Sequence, residues 1–188
     1  TQGMKFRAKR QMQAADLANL VQARQTSDPT EHIVLLGDFN AFEFNDGLGH
    51  SMGVIAGTPA PDNETAVPGD GVDLVNPDFT NLGDTPPPAE RYGFILDGNA
   101  QNLDHILVNQ PLIADTSARR VEHPRISADF PETARNDGAT PVRLSDHDPA
   151  VSYFDVFDFA AADLSLTKSD TPDPVTADTN LAYGITVT

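Results

Sequence analysis

The chain has 188 residues, with 12 Lys plus Arg against 28 Asp plus Glu, a formal net charge of -16, and neither Cys nor Trp. That length admits one ordinary domain with a core, or one domain and part of another, while the composition excludes disulfide stapling and thiolate metal sites. The charge excludes DNA coating by a uniformly basic face, and the absence of any run of about 18 apolar residues excludes a transmembrane helix.

Nearly all the acid is Asp, 22 residues against 6 Glu. Asp favours turns and caps, so a turn-rich fold suited to a salty or calcium-containing medium is expected. Residues 1–25 depart from this balance: Lys5, Arg7, Lys9, Arg10 and Arg24 face a single acid, Asp16. The chain opens at Thr1 on a polar, basic stretch with no start methionine, which reads as an internal piece of a longer product rather than a signal peptide.

Residues 4–25 are predicted as a helix, with Ala14, Leu17, Leu20 and Val21 on one face. Ser27-Asp28-Pro29 ends it. Ile33 to Leu36 then form a continuous apolar run, expected to be a strand buried on both faces under helices. A short helix is expected over 46–56. Residues 57–90, dense in Pro, Gly, Asp and Asn, read as a long loop, functional or mobile. Strands are expected at 92–97 and 102–108 around an Asp97-Gly98-Asn99 turn, then an irregular stretch over 109–142 and a last strand from about 150 to 156. Phe154, Phe157 and Phe159 are expected to close this unit. Beyond a linker at 158–162, residues 163–168 and 181–187 alternate apolar and polar around a turn-rich corner at 169–174. Two such strands cannot bury a face alone, so a second domain is expected to begin at 163.

Three motifs carry the chemistry. Gly37-Asp38-Phe39-Asn40 follows the first strand, and simple alternation puts Asp38 and Asn40 on one face at its carboxyl end, where functional groups gather in open α/β sheets. A carboxylate there orients a water while the amide holds an anionic oxygen. In Asn102-Leu103-Asp104-His105-Ile106-Leu107-Val108, Asp104 enters an apolar layer and needs a partner, for which a His is suited, while His105 points to the opposite face as a structural residue. In Ser145-Asp146-His147-Asp148-Pro149, Asp146 is a hard oxygen ligand for Mg²⁺, Mn²⁺ or Ca²⁺. His147 can donate to a phosphate oxygen when an acidic neighbour keeps it protonated, and Asp148 is expected on the exposed side of the turn.

In this order, the three motifs resemble the endonuclease/exonuclease/phosphatase superfamily, and the stretch from Arg91 to His105 is similar to its secreted bacterial nuclease branch. The resemblance covers residues 1 to about 156. It implies an α/β (α+β) domain over 1–157 that forms half of a four-layer α/β/β/α sandwich, and metal-assisted phosphodiester hydrolysis. Asp38 would position or deprotonate the attacking water and share the metal with Asp146, and Asn40 would help hold the phosphate. Asp104 would orient His147 and keep it charged, and His147 would stabilise charge developing on the phosphoryl oxygens. The implied ion is Mg²⁺ or Mn²⁺, with Ca²⁺ as a structural alternative, and the implied substrate is nucleic acid, DNA or RNA.

The family's metal-binding Glu and a further phosphate-contacting His come from the half of the domain that precedes these residues, and Glu31 and Glu43 stand in the wrong context to replace that Glu. The chain alone is therefore expected to be nearly inactive, with the N-terminal half of the domain as its partner. Residues 163–188 resemble the start of an immunoglobulin-like β-sandwich repeat of bacterial surface proteins, which implies an extracellular or cell-surface address and further repeats downstream. Two other readings stand beside the nuclease: a phosphomonoesterase or phospholipid phosphodiesterase of the same superfamily, and a degenerate, non-catalytic surface-binding module.

Overall fold

The computed structural model describes residues 2–155 apart from 70, 117, 118 and 136, together with the backbone of 166–171 and 182–187. They fall into two units, Thr1–Phe157 and Asp158–Thr188.

The first unit begins with α1 (Gln2–Ser27), which buries Ala14, Ala18, Val21 and Gln25. This is the predicted helix with its face rotated slightly: Leu17 is partly buried, whereas Leu20 is exposed. Small Ala side chains let the helix lie close to β1 (Val34–Asp38) and α2 (Ser51–Ala56). The helix expected over 46–56 starts only at Ser51. Ahead of it the Asp46 carboxylate accepts from the backbone N–H groups of Leu48 and Gly49, and Asn45 accepts from Gly47. Such side-chain turns compete with helical hydrogen bonding.

The 57–90 stretch holds short 3-10 turns and a two-residue strand, β2 (Thr80–Asn81). After it come β3 (Phe94–Leu96), β4 (Asn99–Gln101) and β5 (Asp104–Val108). The expected hairpin turn is present at Asp97-Gly98, with φ of 49° and 81°. Its second strand, however, is β4. β5 leaves the hairpin and becomes the middle of a three-stranded antiparallel sheet ordered β1-β5-β2. The stretch expected to be irregular contains α3 (Gln110–Ala114) and β6 (Arg119–Glu122). β6 pairs antiparallel with β7 (Val151–Phe154).

β5 is where two cores meet. Leu107 joins α1, α2, Val75 and Phe79 in one cluster, while Ile106 and Val108 join Leu82, Leu112, Val121 and Phe154 in another. Alternation along the strand divides them. β1 corrects the expectation of burial on both faces. Leu35 packs toward the helices, but Leu36 is 72% exposed and Val34 37%. β1 lies at the edge of its sheet, and the second core, centred under β5, does not reach across to it.

The described part of this unit is thus α+β, built of small antiparallel sheets. Among the described residues no helix is long and apolar enough to cross a membrane. In the second unit β8 (Leu166–Thr171) pairs antiparallel with β9 (Ala182–Val187). Ser169, Asp170 and Thr171, expected in the corner, therefore belong to a strand. Phe157, Phe159, the 158–162 linker, 163–165 and the rest of the corner lie outside the described residues.

Candidate active site

The antiparallel register of β1 and β5 sets Asp38 directly opposite Asp104, on the sheet face that also carries Leu36 and Ile106. The Phe39 N–H donates to the Leu103 carbonyl at 2.9 Å, so pairing continues one residue past the end of β1. The chain then turns sharply. Asn40 takes a left-handed conformation with φ of 48°, its backbone N–H donating to Asp38 Oδ1 at 2.8 Å and its side-chain amide to Oδ2 at 3.0 Å. Asp38 and Asn40 are therefore brought together by a turn closed on the Asp38 carboxylate, not by the strand alternation expected for them. Arg10 of α1 fixes the outside of this turn by donating to the carbonyls of Asn40 and Phe39.

His147 reaches the same place from far along the chain. A single antiparallel bridge joins it to Phe94, and the Asp148 N–H donates to the Gly93 carbonyl at 2.6 Å. The imidazole stacks on the Phe94 ring, with centroids 4.5 Å apart and 24° between the planes. Its Nδ1–H donates to Asp104 Oδ2 at 2.6 Å, with both side chains less than one-fifth exposed. That charge-assisted contact and the stack fix the ring, which leaves Nε2 as the atom available to a substrate oxygen. Gly93 makes the close approach feasible: a Cβ there would lie 3.4 Å from Asp104 Oδ2 and 3.2 Å from the Asp148 carbonyl.

Asp38, Asp104 and His147 each present a ligand atom within 4.8 Å of one another. The two carboxylates are hard oxygen donors suited to a divalent cation, while the imidazole, its Nδ1–H taken up by Asp104, stands beside them. Asp146 lies outside that group. Its carboxyl is held below the usual carboxylate range, first by its own backbone N–H and further by the nearby His147, Ser145 and Arg135. It is thus an ionised neighbour of the site. Asn40 touches the group through Asp38.

His105 is fully buried on the opposite face, as expected of a structural histidine. Its Nδ1 accepts from the Asn81 amide at 3.1 Å, and its Nε2–H donates to the Ala41 carbonyl at 2.8 Å.

Asp148 reverses expectation. It is completely buried, and its Oδ1 accepts from the backbone N–H groups of Ile126, Ser127 and Ala128 at 3.0, 2.6 and 3.3 Å. Arg125 stands 3.4 Å from Oδ2 with its guanidinium over the Tyr92 ring. Three amides of an irregular loop, two of them in buried hydrogen bonds, need an acceptor, and Asp148 supplies it.

Sequence reasoning also passed over Arg10, Phe94 and His123. His123 is buried with neither ring nitrogen hydrogen-bonded, and a Cβ on Gly93 would lie 3.4 Å from its Nδ1. Burial, reinforced by Arg125, pushes its pKa below the ordinary histidine value. Only the basic cluster at the start of α1 signalled any of the three.

A family model described as the Endonuclease/Exonuclease/phosphatase family matches residues 6–147, a span holding every residue of this constellation. No curated protein and no solved structure matches the chain. With most of its length under that model, the chain belongs to the Endonuclease/Exonuclease/phosphatase family, whose members are generally metal-dependent hydrolases of phosphate esters.

Proposed function

We propose that the protein cleaves phosphodiester bonds of nucleic acid, DNA in the first place, outside the cell or at its surface. The observation that carries this reading is the convergence of Asp38, Asp104 and His147 from three separate segments. A divalent cation held by Asp38 and Asp104, with Asp146 close by, would supply Lewis-acid stabilisation of the phosphoryl oxygens. The residues of the chain do the rest. Asp38, braced by both nitrogens of Asn40, takes or orients the proton of the attacking water. His147, aligned by Asp104, donates from Nε2 to the oxygen on which negative charge develops.

The open face of β1, with Leu36 in solvent beside Asp38, suits the packing of the second sheet of a four-layer sandwich. The N-terminal half of the domain would supply that sheet together with the family's metal-binding Glu. The paired strands β8 and β9 suit the start of an immunoglobulin-like surface repeat, which together with the Asp-rich composition supports the extracellular address.

The test is nicking of supercoiled plasmid with Mg²⁺ or Mn²⁺. The 188 residues alone should turn over slowly, and supplying the preceding half should raise the rate. EDTA should abolish it, and Asp38→Asn should lower it by about 100-fold or more. Release of phosphate from monoesters without nicking by the completed domain would overturn the nuclease reading. Full-rate nicking by the 188 residues alone would overturn the assignment of the missing ligand.

A further inference from the structure

The basic start of α1 and an aromatic pair after β1 enclose a cleft of about 280 Å³ whose lining includes Arg7, Arg10, Asn40, Phe42, Phe44 and Leu48. Three features set it apart. First, Phe42 and Phe44 stack nearly parallel, with centroids 5.0 Å apart and 6° between the planes, yet Phe44 remains 54% exposed. An exposed aromatic platform offers a face on which another planar ring can stack.

Second, the positive charge is concentrated here. The chain carries -16 overall, but its first ten residues hold Lys5, Arg7, Lys9 and Arg10 with no acid among them. Lys5 and Lys9 line a second concavity with the exposed Phe6, so one aromatic ring stands among the basic side chains of the first turns of the helix. The one acid on the cleft, Asp46, already accepts from two backbone N–H groups.

Third, the cleft adjoins the site through Asn40. Asn40 lines it and also donates to Asp38, and Arg10 clamps the Asn40 carbonyl.

We propose that this cleft binds single-stranded nucleic acid, seating the nucleotides that flank the bond to be cleaved. A basic groove follows the phosphates, and exposed aromatic rings accept unpaired bases; paired bases present no free face for such stacking. A strand lying here passes Asn40 and delivers its next phosphate to Asp38 and His147. The proposal rests on the phosphodiesterase reading and specifies its substrate as single-stranded or locally opened nucleic acid.

The test is fluorescence anisotropy with the full chain, a labelled oligothymidylate of about 12 nucleotides and a duplex of equal length, in EDTA so that nothing is cleaved. The single strand should bind more tightly than the duplex. Phe44→Ala should weaken single-strand binding about tenfold. Arg7→Gln should weaken it several-fold and flatten its salt dependence, because a phosphate contact releases counterions. Unchanged urea midpoints would show that both variants fold, as expected for side chains at the surface.

Equal affinity of Phe44→Ala and the parent, or of duplex and single strand, would overturn the proposal while leaving plasmid nicking to stand or fall on its own. Phe44-dependent binding without hydrolysis of any diester by the completed domain would instead overturn the phosphodiesterase reading and leave the cleft as a single-strand binding surface.

Discussion

Asp104 and Asp148 both approach Gly93 and each has a basic side chain within reach, yet they are held in different ways. Asp104 holds an imidazole at the rim of the site, and each of the two side chains keeps some contact with solvent. Asp148 is wholly enclosed and spends one oxygen on three backbone amides of the 126–128 loop. Neither residue type nor sequence neighbourhood distinguishes them. What surrounds each carboxylate decides how it is held: an imidazole N–H in one case, fixed backbone donors and a guanidinium in the other.

The contrast is broken most directly at Asp148. Replacing it with Ala strands Arg125 and three loop amides, two of them in buried hydrogen bonds, so Asp148→Ala should destabilise the protein by about 3–5 kcal/mol, read as a lower urea midpoint. The folded fraction should keep its turnover, apart from any shift of His147 transmitted through the Asp148–Gly93 bond. A stability change under about 1 kcal/mol would mean that the loop amides do not depend on Asp148.

Asp104→Asn should act in reverse. The amide keeps an oxygen for His147 Nδ1–H but loses the charge, so the rate of the completed enzyme should fall by about 100-fold, with stability altered by about 1 kcal/mol or less. An active Asp104→Asn enzyme would reduce Asp104 to a capping carboxylate.

The smallest effect tests the ground between them. Because burial lowers the pKa of His123 in the folded state, the unfolded chain takes up the proton first as pH falls. The stability contributed by this buried, uncharged ring is therefore intact above the ordinary histidine pKa of about 6.5 and is lost as pH falls through the lower folded value. Urea unfolding from neutral pH to about pH 5 should show this loss, and His123→Gln should flatten it. Equal slopes for parent and variant would mean that His123 is more open to water than its surroundings imply.

The parts of the fold that were legible in the sequence are those governed by local periodicity. α1 and β5 follow their apolar spacing, and the Asp97-Gly98 turn follows its dipeptide. β2 is two residues long and exists because β5 offers it an edge, so no local pattern announces it. The outward face of β1 looked buried because four apolar residues in a row are ambiguous without knowing what covers them.

At the site, the three motifs name the groups that meet, but the means of meeting were hidden. The Asn40 turn depends on a left-handed backbone, His147 depends on Phe94, and Arg10 acts across 30 residues. The burial of Asp148 is not legible because three of its partners are loop amides, which carry no side-chain signature, and the fourth, Arg125, lies 23 residues away.

The exposed flank of β1 has a colloidal consequence. An edge strand carrying Leu36 in solvent is a template on which another copy of the chain can pair, and nothing in the strand itself discourages this except Asp38 at its end. The large acid excess supplies the restraint from a distance, since like-charged molecules are held apart before their edges meet. Screening by salt, or acidification toward the isoelectric point, withdraws that repulsion while leaving the edge unchanged. Association of the isolated chain under those conditions should therefore begin at β1, beside Asp38, and occlude the site as it proceeds.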